Sequence, residues 1–194
     1  MNRLSFLKKH IKKGRVLDIG NLGLNGELHR NIQSSFPDSF IVGIDNNEKL
    51  AKKNNFPNQV IGDITEPLPF ENDYFETVYL GEIIEHTWAP FKLLEEVHRV
   101  LKEGGVVIID TPHVYSLIRM VRFFIKGQDS LGDPSHRLFF TPIILKNLLE
   151  KCRFNVIEMT TDSKFSFKNK TINLPPVPPF KWLGSHLCVA ARKL

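Results

Sequence analysis

Apolar residues along the chain gather in short runs that end on glycine or aspartate: "RVLDIG", "SFIVGID", "NQVIGD", "FETVYLG" and "GGVVIID". Near-continuous runs of this kind belong to strands of a parallel sheet covered on both faces. Between the last two, "PFKLLEEVHRVLKEGG" places Phe91, Leu94, Val97 and Leu101 at helical spacing, and Gly104 and Gly105 are expected to stop that helix. Further on come a basic apolar stretch "YSLIRMVRFFIKG", a helix "TPIILKNLLEKC", a strand "FNVIEMTT" and a last strand near "HLCVAARKL". Strands alternating with helices predict right-handed crossovers and an α/β, doubly wound, mostly parallel sheet, with ligands at the carboxyl ends of its strands.

At 194 residues the chain reads as a single domain, 1–194. Within it, residues 1–14 form a basic N-terminal helix, 115–140 a separate segment, and 162–184 a long connection containing "LPPVPPF". The prolines favour extended polyproline II geometry, so that connection is expected to be a rigid loop beside the site or a homodimer contact. Composition is that of an ordinary globular protein, with 42% hydrophobic and 24% charged residues. No apolar run approaches the roughly 20 residues of a membrane span, and lysines interrupt "MNRLSFLKKHIKKG" before a signal sequence can form, so a cytoplasmic location is expected. Cys152 and Cys188 are too few and too far apart for a disulfide framework, and both are expected to be buried thiols. The net charge of +5 owes much to four lysines and two arginines in the first 15 residues. A solvated basic helix accounts for them, so nucleic acid is not the expected partner.

The chemistry is expected at "VLDIGNLGLNG", where a strand delivers the chain to a turn with glycines at 20, 23 and 26. Such a turn, followed by a helix, presents backbone N–H groups and a positive helix end to a ligand. Asp45, in "GID", ends the next strand 22 residues after Gly23, where a carboxylate can accept both hydroxyls of a ribose. Asp63 ends the third strand and is placed to accept from an adenine amino group, with Ile64 to pack on the ring.

Taken in order, "VLDIG", "GIDNN", "GDITEPLPF", "FETVYLGEIIEH" and "LKEGGVVIIDTPH" resemble the successive motifs of class I S-adenosylmethionine-dependent methyltransferases of the small-molecule type. The resemblance runs over roughly residues 14 to 160 plus the final strand. It implies a Rossmann-like, seven-stranded sheet whose last strand is antiparallel, with S-adenosyl-L-methionine as cofactor and S-adenosyl-L-homocysteine as product. It further implies that Asp18 and Gly20 lie beside the methionine moiety, Asp45 with Asn46 at the ribose, Asp63 and Ile64 at the adenine, and Gly81 and Glu82 near the sulfonium. Relatives have a tighter G-x-G turn, so Gly23 serves either as the second glycine after an insertion or as a helix-start glycine. The segment 115–140 would form a lid, and its basic amphipathic pattern suits an apolar small-molecule acceptor or a peripheral membrane contact.

Methyl transfer from a sulfonium is an in-line displacement with a neutral leaving group, so alignment provides most of the acceleration. A general base is needed only where the acceptor must lose a proton. His86 is the first candidate, then His113; His136, in "DPSHRLFFTP", reads rather as a packing or lid-anchoring residue. The three histidines have no metal-ligand spacing, and no metal is expected. A nicotinamide-dependent reductase is discounted, because no tyrosine is followed four residues later by lysine. A binding scaffold without turnover and an RNA methyltransferase are the remaining alternatives.

Overall fold

The structure is a computed structural model that describes residues 2–126, 133–162, 164–167, 170–173 and 184–194. Its elements run α1 (Arg3–His10), β1 (Arg15–Ile19), α2 (Glu27–Ser35), β2 (Phe40–Asp45), α3 (Glu48–Asn54), β3 (Gln59–Ile61), β4 (Phe75–Gly81), α4 (Pro90–Val100) and β5 (Leu101–Pro112). They continue with α5 (Leu117–Lys126), α6 (Pro142–Lys151), β6 (Phe154–Thr161), β7 (Lys164–Phe167), β8 (Lys170–Asn173) and β9 (His186–Lys193).

Seven of the strands form one sheet in the order β3-β2-β1-β4-β5-β9-β6. β1 to β5 pair in parallel, while β9 runs antiparallel to both β5 and β6. This is the doubly wound sheet with an antiparallel last strand that the sequence predicts. In register, Ile19 lies between Ile44 and Leu80, and Gly81 opposes Asp110, so the carboxyl ends of β1, β2, β4 and β5 open onto one edge.

Alternation along the strands divides the core between two faces. Leu17, Val78, Val107 and Val189 pack with Leu94 and Val97 of α4 and Leu145 and Leu149 of α6. Val16, Tyr79, Ile108 and Ala190 pack with Phe6 and Leu7 of α1 and Ile32 of α2. Each such fully buried Leu, Ile, Val or Phe side chain contributes about 1.5–3 kcal/mol. The basic N-terminal segment is therefore a core helix with one apolar face. Two of its neighbouring lysines are engaged within the chain, Lys9 with Glu158 at 2.5 Å and Lys12 with the Gly104 carbonyl at 2.6 Å. Cys152 and Cys188 are buried free thiols, as expected.

Two expectations are corrected. The helix of "PFKLLEEVHRVLKEGG" ends at Val100, four residues before its glycines, because Leu101 already pairs with Phe75 at the start of β5. Gly104 instead takes a left-handed φ of 67° within that strand. The connection 162–184 is not wholly strandless, since β7 and β8 pair antiparallel as a hairpin. "LPPVPPF", at 174–180, lies outside the described residues, as do positions 127–132 of the expected lid. Among the described residues no helix is long and apolar enough to cross a membrane.

Candidate functional site

A cavity of about 480 Å³ opens at the carboxyl ends of β1, β2 and β4, within the size range of small-molecule sites. The turn after β1 forms one wall. Gly20 adopts φ 75° and donates its N–H to the Ile44 carbonyl at 2.8 Å. A Cβ there would lie 2.1 Å from Ile83 Cδ1, so any other residue would have to adopt the strained φ and displace Ile83. Gly23 lines the cavity without positive φ and has nothing within 4 Å of a built Cβ. Gly26, at φ 72°, caps α2 with a Cβ position 2.5 Å from the Phe56 ring. The helix-start function thus falls to Gly26, and Gly23 is left as an open position in the wall.

Asp18 and Asp45 stand on either side of this turn. Asp45 accepts from the backbone N–H of Leu22 at 3.3 Å and of Asn47 at 2.9 Å, which holds its carboxylate at the cavity wall. Asp18, buried on β1, lies 2.8 Å from His29 Nδ1 on α2, and burial pushes its carboxyl above the usual range against the pull of His29. Both residues line the cavity, and His29 Nε2 is buried there without a protein partner.

The floor continues through Gly81, whose Cβ would meet the Tyr79 hydroxyl at 2.5 Å, to Glu82 in a left-handed conformation, φ 52°. The strain at Glu82 is held by its N–H, which donates to the Asp110 carbonyl at 2.9 Å. Its carboxylate accepts from His186 Nε2 at 2.7 Å and pairs with Arg3 at 3.3 Å. Burial would raise its pKa, but these two partners outweigh burial and bring it down to about 2. Arg3 also pairs with Asp110 at 2.7 Å, and Asp110 accepts from the Tyr79 hydroxyl. A charged lattice thus ties α1, β4, β5 and β9 together behind the cavity.

At the far end, the turn Ile84–His86 carries His86 into the cavity, where His136 and Asp133 join it. The two imidazole rings meet edge-on at 4.9 Å between centroids. Glu85, between them and the sheet, is fully buried. It accepts from Thr111 Oγ1 at 3.0 Å, and burial pushes its carboxyl up to about 7. Its carbonyl accepts the N–H groups of Arg137 and Leu138 at 2.8 and 3.1 Å, which anchors the segment that carries His136.

Of the residues expected from sequence, Asp18, Gly20, Gly23, Asp45, Gly81, Glu82, His86 and His136 line this cavity. Asn46, Asp63, Ile64 and His113 lie outside its lining. Asp63 turns back to accept from Thr65 N and Oγ1, both at 2.9 Å, because β3 ends two residues earlier at Ile61. Ile64 packs on the core below, and Asn46 is exposed beyond the end of β2. His113 is buried with Nδ1 3.3 Å from the Gly184 carbonyl, a packing position rather than one facing the cavity. Sequence reasoning missed Arg3, His29, Asp110 and Glu85. Asp110 carried a usable signal, since it closes an apolar run as Asp18 and Asp45 do. Arg3 and His29 lie on helices with no motif around them.

The fit to the implied cofactor rests on this geometry: two glycines whose Cβ atoms would be blocked, a strand-end carboxylate held by backbone donors, and a buried, unpartnered imidazole nitrogen on a residue of the lining. The model of the methyltransferase domain family matches residues 17–109. The chain is 33% identical over 111 residues to an uncharacterised protein of Methanocaldococcus jannaschii, covering 56% of this chain and 49% of that one. It is 28% identical over 120 residues to a probable S-adenosylmethionine-dependent methyltransferase of Mycolicibacterium smegmatis, covering 60% and 44%. It is 27% identical over 179 residues to a tRNA U34 carboxymethyltransferase of Sulfurimonas denitrificans, covering 83% and 56%. The chain therefore spans about half the length of the curated relatives it matches. The crystal structure of a SAM-dependent methyltransferase from Archaeoglobus fulgidus superposes with a TM-score of 0.73 at 22% identity, covering 98% of this chain and 92% of that one. Over residues 17–109 the chain thus resembles the methyltransferase domain family, and its fold is the one seen in solved S-adenosylmethionine-dependent methyltransferases.

Proposed function

We propose that the chain transfers the methyl group of S-adenosylmethionine to a small acceptor with an apolar body, admitted at the His86–His136 end of the cavity. The observation that carries this reading is the shared cavity, which runs from Asp45 and Gly20 to the two imidazoles without leaving the edge of the sheet. When bound, the cofactor supplies a methyl group activated by a sulfonium. The chain's own residues bind and orient: Asp45 for the ribose hydroxyls, the close-packed backbone at Gly20 and Gly81 for the methionine portion. Their rigidity matters because an in-line displacement gains most from fixed alignment. An apolar acceptor is favoured by α5, which brings Arg119 to the cavity and leaves Met120, Phe123, Phe124 and Ile125 exposed beside it.

Calorimetry with S-adenosylhomocysteine tests the cofactor half of the reading. The expected result is one site per chain, weakened by about 1.5–3 kcal/mol in Asp45→Ala through loss of hydrogen bonds to a charged group. No binding by the intact chain would sink it. Methyl incorporation from labelled S-adenosylmethionine tests the acceptor half, with apolar hydroxylated small molecules and total tRNA as the two arms. The tRNA arm serves the second reading, a nucleic-acid acceptor, which is supported by the name of the Sulfurimonas denitrificans relative. Binding with no incorporation in either arm would favour a cofactor-binding scaffold.

A further inference from the structure

Glu85, His86 and His136 each offer a ligand atom, and these three atoms lie within 4.8 Å of one another. Among the described residues this is the one group of three ligand-type side chains so arranged. The sequence conceals it, because His136 stands 50 residues from His86 and is brought across by the bonds from Arg137 and Leu138 to the Glu85 carbonyl.

Two of these three side chains carry a buried polar atom that every other interaction in the site leaves without a partner. Glu85 has no exposure, and with Oε2 taken by Thr111 its Oε1 is buried without a partner. His136 Nδ1 is buried and unpartnered as well. Each such atom destabilises the fold when left unsatisfied. A bond between the two side chains would remove both costs, yet none is formed. A ligand that takes electron pairs from both would do so.

The state of His86 supports the same conclusion. Ser135 Oγ lies 2.6 Å from Asp133 Oδ1 and 3.0 Å from His86 Nδ1. An ionised carboxylate can only accept, so the Ser135 hydroxyl donates to Asp133 and its oxygen accepts from His86 Nδ1–H. That tautomer leaves Nε2 with a bare lone pair. A hydrogen-bonded outer partner of this kind is what orients metal-binding imidazoles.

We propose that Glu85, His86 and His136 bind a divalent first-row transition-metal ion, with Ser135 and Asp133 as positioning residues for His86. Two imidazole nitrogens and one carboxylate oxygen suit zinc, iron or cobalt better than magnesium or calcium, which favour oxygen-only shells. Ligand bonds of about 2.0–2.2 Å require the three atoms to draw in slightly around the ion. Three protein ligands leave coordination positions open, and His86 and His136 both face the cavity. The inference rests on the cofactor reading of that cavity, and it narrows the acceptor to one presenting a hydroxyl oxygen, which the ion would polarise. His86 is then a ligand and not the general base.

The test uses the full chain after dialysis against a chelator, titrated with cobalt(II) by absorption and with zinc(II) by calorimetry. One ion per chain is expected, with visible cobalt bands of a nitrogen-and-oxygen site of low coordination number. Loss of an outer partner lowers affinity about 10–100-fold, so Ser135→Ala should fall in that range and His136→Ala beyond it. Glu85→Gln should behave as His136→Ala does, and His136, only half-buried, keeps the test readable if the Glu85 variant folds poorly. Absence of binding by the intact chain, or affinity unchanged in both His136→Ala and Ser135→Ala, overturns the proposal. S-adenosylhomocysteine affinity of the intact chain, measured on the same metal-free samples, serves as the separate readout. Its failure in the intact chain would instead overturn the cofactor reading.

Discussion

Gly20 and Gly23 stand three residues apart in one turn, and their backbones are held for different reasons. Gly20 has left-handed φ and a neighbour, Ile83, within 2.1 Å of where a methyl group would sit. Gly23 has neither constraint. Gly20→Ala therefore carries about 1–2 kcal/mol of backbone strain, plus whatever Ile83 must give, and Ile83 shares its turn with Glu82 and Ile84. Urea unfolding followed by circular dichroism should show a clear loss of stability for Gly20→Ala and a change within about 0.5 kcal/mol for Gly23→Ala. Equal losses at both positions would show that the contact with Ile83 is not what demands glycine. The spacing of glycines in "GNLGLNG" announced a cofactor turn but not this division of labour, because the approach of Ile83 depends on a loop 63 residues further along the chain. Asp18 and Asp45 were legible for the opposite reason: each ends an apolar run, and strand ends converge in any parallel sheet.

Among the elements, α6 shows how much local chemistry a short helix needs. Thr141 precedes it in extended conformation and its hydroxyl accepts the N–H of Ile144 at 3.2 Å, while Pro142 opens the first turn without leaving an unpaired N–H. The cap sets the start of a helix whose Leu145 and Leu149 are completely buried against the sheet. Thr141→Ala should lower stability by about 1 kcal/mol, and Thr141→Ser should restore most of it. A thermal melt in which both variants match the parent would remove the cap from the account. Sequence periodicity located α6, α4 and the main strands because propensity and burial agree there. It failed at the end of α4, where pairing of Leu101 with Phe75 overrides a helical pattern that continues to the glycines. It also failed for β7 and β8, whose pairing leaves no apolar alternation long enough to read.

For the molecule as a whole, closure behind the cavity depends on groups that no motif marks. His186 opens the last strand, yet its ring bridges Glu82, 104 residues away, and Asp162 at the end of β6, at 2.7 and 3.0 Å. Burial alone would lower the imidazole pKa, but hydrogen bonds to Asp162 and Glu82 outweigh it and hold it up at about 9. A histidine raised from 6.5 in the unfolded chain stabilises the fold fully below that pH, and the contribution fades as pH rises through 9. Glu82, lowered from 4.5 to about 2, stabilises above 4.5 and is lost as pH falls through 2. The pair is therefore worth most between roughly pH 4.5 and 6.5, and the histidine's share amounts to about 3 kcal/mol at its upper limit. Other groups titrate near pH 9, so the informative quantity is the difference between the parent and His186→Gln. Urea midpoints taken from pH 6 to 10 should show the parent ahead at pH 6, the gap narrowing from about pH 6.5 and largely closed above about pH 9. A gap of constant size across that range would mean that packing of the ring, and not its charge, joins the last strand to the cavity floor.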